Sequence, residues 1–323
     1  MADEKAKPRA LYYTILAYQH ENLALMGRLF EVETLPDPRA DTKAALERVE
    51  VLFAPLGFAV DAARIAKCPR LMAIISNTTG VPHIDMDAAR KRGIAVCALH
   101  DEQAFLETIT PTAEHTIGLM LAAWRRIPAA HEAAIRGKWD RAPWGAPKMF
   151  SRLRLGLVGM GRLGRKVARI AAAMDMEVAF YDPKVPGGAA TLIELARSSD
   201  VLSLHAPADA ATRKIVSREV LAALPKGAMV VNTARGELLD EDALVDLLEA
   251  GHLAAAGLDT VDGEYDPDFG ARFGQSRLAA YARAHDNLIL TPHIGGSTVD
   301  AWSETQRFVI LKAAKKLGLE VPA

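Results

Sequence analysis

Residues 153–158 form a short apolar run that leads straight into Gly159-Met160-Gly161-Arg162-Leu163-Gly164. Apolar residues then recur at helical spacing through Val167, Ile170, Ala171 and Met174, and a second apolar run, 177–181, closes on Asp182, 18 residues after Gly164. A strand, a G-x-G-x-x-G turn, a helix and an acidic residue ending the next strand together demand a parallel α/β architecture with a dinucleotide cradle. Each position has its own reason. Gly159 permits the tight turn, Gly161 lets the backbone approach a pyrophosphate, and Gly164 lets helix and strand pack closely. The amides of Arg162 and Leu163 open the helix, where unpaired N–H groups and the dipole favour an anion. Asp182 can accept hydrogen bonds from ribose hydroxyls and repels a 2′-phosphate, so the pattern predicts NAD rather than NADP. Lys184 is near enough in sequence to offset part of that repulsion.

The first hundred residues alternate in the same way. Apolar runs at 11–17, 30–35, 49–54, 71–76 and 94–98 are separated by polar-studded helical segments at 22–28, 42–48, 61–67 and 84–92, which predicts a second parallel sheet with helices on both faces. Asp61 and Asp85 are expected N-caps. A long helix is predicted to open at Thr110-Pro111, with the Thr110 side chain capping it and Pro111 at the first helical position. Pro128 should break it, 129–136 should resume as helix, and 139–149 should be a loop. Helices are also expected at 276–285 and 297–317. A length of 323 residues suits two domains.

Composition excludes several function classes. With 39 Lys plus Arg against 40 Asp plus Glu, the chain lacks the basic excess of a nucleic-acid binder or a polybasic membrane surface. Its longest strongly apolar stretch, 117–124, is shorter than the roughly 20 residues a membrane helix needs. Cys68 and Cys97 are too few for a disulfide framework and lack metal-ligand spacing, so both are expected to be buried thiols. The first ten residues do not read as a signal peptide, and a cytoplasmic protein is expected. The acidic cluster Glu237, Asp240, Glu241 and Asp242 suits a helix start without an ion, so no metal is expected.

Three later segments place polar groups at the ends of apolar strands: Asn232-Thr233-Ala234-Arg235-Gly236, Gly257-Leu258-Asp259 with Glu264 following, and Thr291-Pro292-His293-Ile294-Gly295-Gly296-Ser297. Strand C-termini of a doubly wound sheet are where ligands bind. The three segments are chemically complementary. An arginine fork suits a carboxylate, a histidine exchanges protons near neutral pH, and a carboxylate beside that histidine favours its imidazolium form.

On these motifs the chain resembles the D-isomer-specific 2-hydroxyacid dehydrogenase family. The resemblance also takes in 80–85, continued by Ala88-Ala89-Arg90, and Thr112-Ala113-Glu114-His115-Thr116. It implies two doubly wound parallel-sheet domains with the cleft between them. One is a flavodoxin-like substrate domain, discontinuous over 1–99 and 291–323; the other is a Rossmann NAD-binding domain over 100–290. It implies Arg235 on the substrate carboxylate and carbonyl, His293 as general acid/base, and Glu264 as the partner of His293. Backbone amides near Thr79 and Gly80 would hold the substrate carboxylate. Thr233, Ala234, Asp259, Gly295 and Gly296 would line the nicotinamide end, and His205 and Pro207 the adenosine half. A small 2-hydroxy or 2-keto acid and a homodimer complete the expectation. Trp139 and Trp144 would pack against a second subunit or against their own domain.

Two departures stand out. The family writes Asp-Val-Phe and then Glu-Pro here, whereas this chain has Asp259-Thr260-Val261 and Glu264-Tyr265, with Asp262 and Asp266 as competing carboxylates. The segment 265–287 is also longer than the family usual. A non-catalytic NAD(H)-sensing protein of the same fold is the alternative reading, and the occupied Arg, Glu and His positions rank it second. Formate and phosphite oxidation fit less well: Glu264 with His293 argues against the first, and Asn77, Thr78 and Thr79, in place of a lysine, argue against the second.

Overall fold

The computed structural model describes residues 6–145, 147–266 and 268–321, so residues 1–5 of the N-terminal stretch lie outside it. The chain divides into two compact units, residues 1–109 with 297–323 and residues 110–296.

In the first unit β1 (Arg9–Tyr13), β2 (Glu31–Leu35), β3 (Val51–Phe53), β4 (Ala73–Ile75) and β5 (Ala95–Cys97) form one sheet in the order β2-β1-β3-β4-β5. All of its pairings are parallel. Side chains alternate across a pleated sheet, so each central strand feeds two cores. Tyr12, Val51, Phe53, Ala73 and Ile75 pack under the helices His20–Leu29 and Val299–Lys316. Leu11, Tyr13, Leu52 and Ile74 pack on the other face with Ile65 and Ala89. Asp61 and Asp85 cap their helices by accepting from the N–H groups of Arg64 and Ala88. Cys68 and Cys97 are both buried and free, as composition suggested.

The second unit carries β6 (Arg154–Val158), β7 (Glu177–Tyr181), β8 (Val201–Leu204), β9 (Ala228–Asn232), β10 (Leu253–Leu258) and β11 (Leu288–Leu290). Their order is β11-β10-β9-β8-β6-β7, again all parallel. Beside β6 the order reverses, which makes the C-terminal ends of β6 and β8 the switch point. Only β7 lies beyond it, one strand fewer on that side than the usual 3-2-1-4-5-6 dinucleotide sheet. Leu155, Leu157, Met229 and Val231 pack with Met120 and Val167, while Val158, Leu204 and Val230 face Leu195 and Leu244.

Three expectations need correction. Thr110 does not cap the helix Pro111–Trp124; its hydroxyl donates to Glu114 one turn on. The first division falls after 109 rather than 99, because Phe105 stacks on Phe308 at 4.1 Å and Glu102 pairs with Lys312 at 2.7 Å. The second falls after 296 rather than 290, because Thr291, Ile294 and Gly295 are all bonded to Asp259 at the end of β10. His293 therefore belongs with the second sheet.

Candidate active site

The Gly-rich turn has the shape its sequence demands. Gly159 sits at φ +99, and a β-carbon there would lie 2.8 Å from the backbone of His205 and Ala206. One on Gly164 would lie 2.2 Å from the carbonyl oxygen of Gly159. At Gly161, which precedes the helix Arg162–Ala173 with no side-chain cap, a β-carbon would meet nothing within 4 Å. Two glycines are thus imposed by internal packing, and the third opens onto the space an anion at the helix start would fill. Asp182, just past β7, is held from two sides. Its Oδ2 accepts from the Met160 N–H and its Oδ1 from the Lys184 N–H, each at 2.9 Å. Lys184 thus meets Asp182 through its backbone. A carboxylate so bound still has lone pairs for ribose hydroxyls, so these residues fit a dinucleotide.

Beside the turn, His205 donates its backbone N–H to Val158 and has Nε2 2.9 Å from Ser203 Oγ. Burial pushes its imidazole down to about 4. Pro207 is exposed, its carbonyl accepting from the Thr212 hydroxyl.

The end of β9 is organised by Asn232, which is fully buried. Its Oδ1 accepts from the Ala234 N–H at 3.0 Å and its Nδ2 donates to the Arg235 carbonyl at 2.8 Å, so the turn presenting Arg235 is tied to the strand. Arg235 is half-buried and donates from Nη1 to the Ala234 carbonyl. Thr233 is buried with its hydroxyl 2.7 Å from that of Thr116.

Asp259 supports the neighbouring loop. Its carboxylate, 1% exposed, accepts from the Thr291 hydroxyl (2.6 Å) and from the N–H groups of Ile294 (2.9 Å) and Gly295 (2.8 Å). His115 Nε2 stands 3.2 Å from the same carboxylate and 3.1 Å from Thr291 Oγ1. Gly295 is buried, and a β-carbon there would lie 2.8 Å from Asp259 Oδ2, whereas Gly296 is exposed. This scaffold holds His293 at φ +52, in the left-handed region that non-glycine residues seldom adopt. Its N–H donates to the Asp259 and Thr291 carbonyls.

In that pose His293 Nδ1 is 2.7 Å from Glu264 Oε1, with side-chain exposures of 32% and 13%. A carboxylate can only accept, so the shared hydrogen sits on Nδ1 and leaves Nε2 free to exchange a proton. The competing carboxylates are engaged elsewhere, Asp262 with Arg213 at 2.9 Å and Asp266 with Arg272 at 2.7 Å. Glu264 itself is delivered by a turn anchored at Asp262, whose N–H donates to Glu241 at 2.8 Å. Burial pushes the Glu241 carboxyl up to about 7, with Asp262 and Asp242 adding to the rise.

One participant has no counterpart in the sequence reading: the Tyr265 hydroxyl lies 3.0 Å from His293 Nδ1. Its only signal was the tyrosine standing where the family pattern has proline. His115, which the sequence reading took in only as part of the segment 112–116, joins the site through Asp259 and Thr291. The long segment after Glu264 folds into the helices Phe269–Gly274, which was unforeseen, and Arg277–Ala284, which was expected and whose N-terminus the Ser276 hydroxyl caps. Thr79 and Gly80 lie in the other unit, on the loop after β4, where the Thr78 hydroxyl donates to the Gly80 carbonyl at 2.6 Å. No cluster of metal-ligating side chains occurs among the described residues, and no helix there is long and apolar enough to cross a membrane.

Residues 13–116 match the D-isomer specific 2-hydroxyacid dehydrogenase catalytic domain and residues 117–295 the NAD binding domain of the same family. The sequence is 36% identical over 285 residues to a D-3-phosphoglycerate dehydrogenase of Methanocaldococcus jannaschii, covering 85% of this chain and 51% of that protein. It is 33% identical over 279 residues to a hydroxypyruvate reductase of Thermotoga maritima, covering 85% and 87%. The chain spans about half the length of the phosphoglycerate dehydrogenases it matches. The fold resembles that of a D-lactate dehydrogenase from Aquifex aeolicus complexed with NAD and lactic acid, with a TM-score of 0.79, 25% identity and 96% of each chain covered.

Proposed function

The chain belongs to the D-isomer specific 2-hydroxyacid dehydrogenase family, and from that premise we propose that it catalyses the NAD-dependent interconversion of a D-2-hydroxy acid and its 2-keto acid. The observation that carries the reading is the 2.7 Å pair of His293 Nδ1 with Glu264, in the same unit as the Gly-rich turn and Arg235. The nicotinamide, when bound, supplies or accepts the hydride. Everything else falls to side chains and backbone. Arg235 takes the substrate carboxylate through its planar fork and polarises the carbonyl. His293 Nε2 gives its proton to the carbonyl oxygen during reduction and withdraws it from the hydroxyl during oxidation. Glu264 accepts the hydrogen on the other ring nitrogen, which orients the ring and leaves Nε2 for the proton transfer. The family pattern also assigns backbone amides near Thr79 and Gly80 to a substrate carboxylate.

The turn from Gly159 to Gly164 would cradle the pyrophosphate, and Asp182 the adenosine ribose, which selects NAD over NADP. His205 and Pro207 would flank the adenosine half. Thr233, Ala234, Gly295 and Gly296 would line the nicotinamide end, with Asp259 acting there through the loop it supports. A homodimer is part of the reading. Trp139 is 91% exposed and Ile135 64%, an apolar surface that a second copy of this chain would cover.

The test is NADH absorbance with a panel of glyoxylate, hydroxypyruvate, 3-phosphohydroxypyruvate and pyruvate, repeated with NADPH. Turnover of at least one keto acid with NADH is expected. Tight NADH binding with no turnover across the panel would favour the sensor reading, and a preference for NADPH would overturn the role given to Asp182.

A further inference from the structure

Tyr265 follows Glu264 directly, and its hydroxyl reaches the ring nitrogen that Glu264 also reaches, at 3.0 Å against 2.7 Å. The imidazole has one hydrogen to offer at Nδ1. The carboxylate takes it, because a charge-assisted bond is shorter and stronger than one to a neutral phenol. The phenol stays protonated: burial pushes its pKa up, and the Glu264 charge pushes it further. Its own hydrogen then turns to the Glu264 carboxylate, which has more lone pairs than one imidazole hydrogen fills. Among the described residues, Arg235 and Glu237 also act on the Tyr265 phenol, Arg235 opposing the rise and Glu237 adding to it.

Resting on the function proposed above, we infer that Tyr265 is a positioning residue that shares the Glu264 carboxylate with His293. The second donor fixes the carboxylate's orientation and disperses its charge. Glu264 then holds the imidazolium less tightly than an unshared carboxylate does, and the proton at Nε2 is easier to release. A proline at this place, as in the family pattern, has no hydroxyl and can do neither.

The experiment compares wild type with Tyr265→Phe, which keeps the ring and its packing, in a wild-type and in a Glu264→Gln background. In the protein without added dinucleotide, the downfield Nδ1 proton of His293 is read by NMR and identified by its loss in His293→Gln. It should move further downfield in Tyr265→Phe as the carboxylate concentrates its charge on one donor. In turnover, the pH at which keto-acid reduction is half-maximal should rise by about half a unit, the size of one redistributed hydrogen bond. Neither change should appear in the Glu264→Gln background. An unmoved proton signal, a fall in the pH midpoint, or equal shifts in both backgrounds would each overturn the inference. If no keto acid is turned over by wild type, the proposed function fails instead, and the NMR comparison still decides whether the carboxylate is shared.

Discussion

The backbone of Val261 occupies the place where a β-carbon on Gly236 would sit: the Val261 carbonyl carbon is 2.0 Å from that position and the Asp262 nitrogen 2.1 Å. Gly236 follows Arg235 and Val261 lies three residues before Glu264, so two strand ends carrying candidate site residues are pressed backbone to backbone. Glycine is required here for close approach, with no unusual φ involved.

Gly236→Ala should therefore act on both loops at once. Backbone cannot yield as a side-chain tip does, so a destabilisation of about 2–3 kcal/mol is expected, with keto-acid turnover falling alongside it. Urea unfolding followed with activity reads both. An unchanged unfolding midpoint would show that the two loops separate at little cost.

His293→Gln should lower kcat by roughly 10²–10⁴-fold, the usual contribution of a positioned acid/base group. NADH binding, followed by fluorescence, should survive, because the Gly-rich turn and Asp182 are untouched. Glu264→Gln should cost less, since the imidazole remains in place but loses its charged hydrogen-bond partner. Wild-type turnover in His293→Gln would remove the histidine from the mechanism.

Asp182→Ala should narrow the preference for NADH over NADPH by about tenfold or more, the effect of removing about 1.4 kcal/mol of charge repulsion. Some loss of NADH affinity should accompany it, because the Met160 and Lys184 amides lose their acceptor. The ratio of kcat/KM values for the two cofactors measures this. A ratio that does not move would mean the carboxylate is not what discriminates.

Two groups should tilt stability against pH in opposite senses. Glu241, at about 7 when folded against 4.5 ordinarily, holds its proton more tightly in the native state, so its contribution falls as pH rises from about 4.5 to about 7. His205, at about 4 when folded against 6.5, is native when neutral, so its contribution is whole above 6.5 and is lost as pH falls toward 4. Glu241→Gln should raise the unfolding free energy at pH 8, by on the order of 1–3 kcal/mol, and leave it nearly unchanged at pH 4, as read by urea denaturation at the two pH values. His205→Gln should make the loss between pH 7 and pH 4.5 shallower. Parallel pH curves for wild type and both variants would contradict this assignment.

Much of the molecule was legible before any coordinates, and the reasons are local. Alternating apolar runs and helical segments dictate two parallel sheets because the period of each element is written in its own residues. The G-x-G-x-x-G turn is equally local, since strand, turn and helix are contiguous. Arg235 and His293 stood out because each breaks an apolar strand end with a group a core would reject. The Thr110 side chain failed as a cap because its hydroxyl found an acceptor in Glu114, one turn on, which spacing rules do not weigh.

What the sequence determined alone, then, is the doubly wound architecture, the cradle and the two strongest candidate residues, all consequences of short-range periodicity and turn chemistry. What only the tertiary structure decided is partnership. Glu264 rather than Asp262 or Asp266 meets His293, because Arg213 and Arg272 claim the other two carboxylates. Asp259 turns inward to hold the histidine loop, His115 joins it from the helix Pro111–Trp124, and Tyr265 reaches the same ring nitrogen as Glu264. Apart from Arg272 with Asp266, these contacts join residues 28 to 176 positions apart. A hydrogen bond depends on ångströms through space, and separation along the chain carries no record of it.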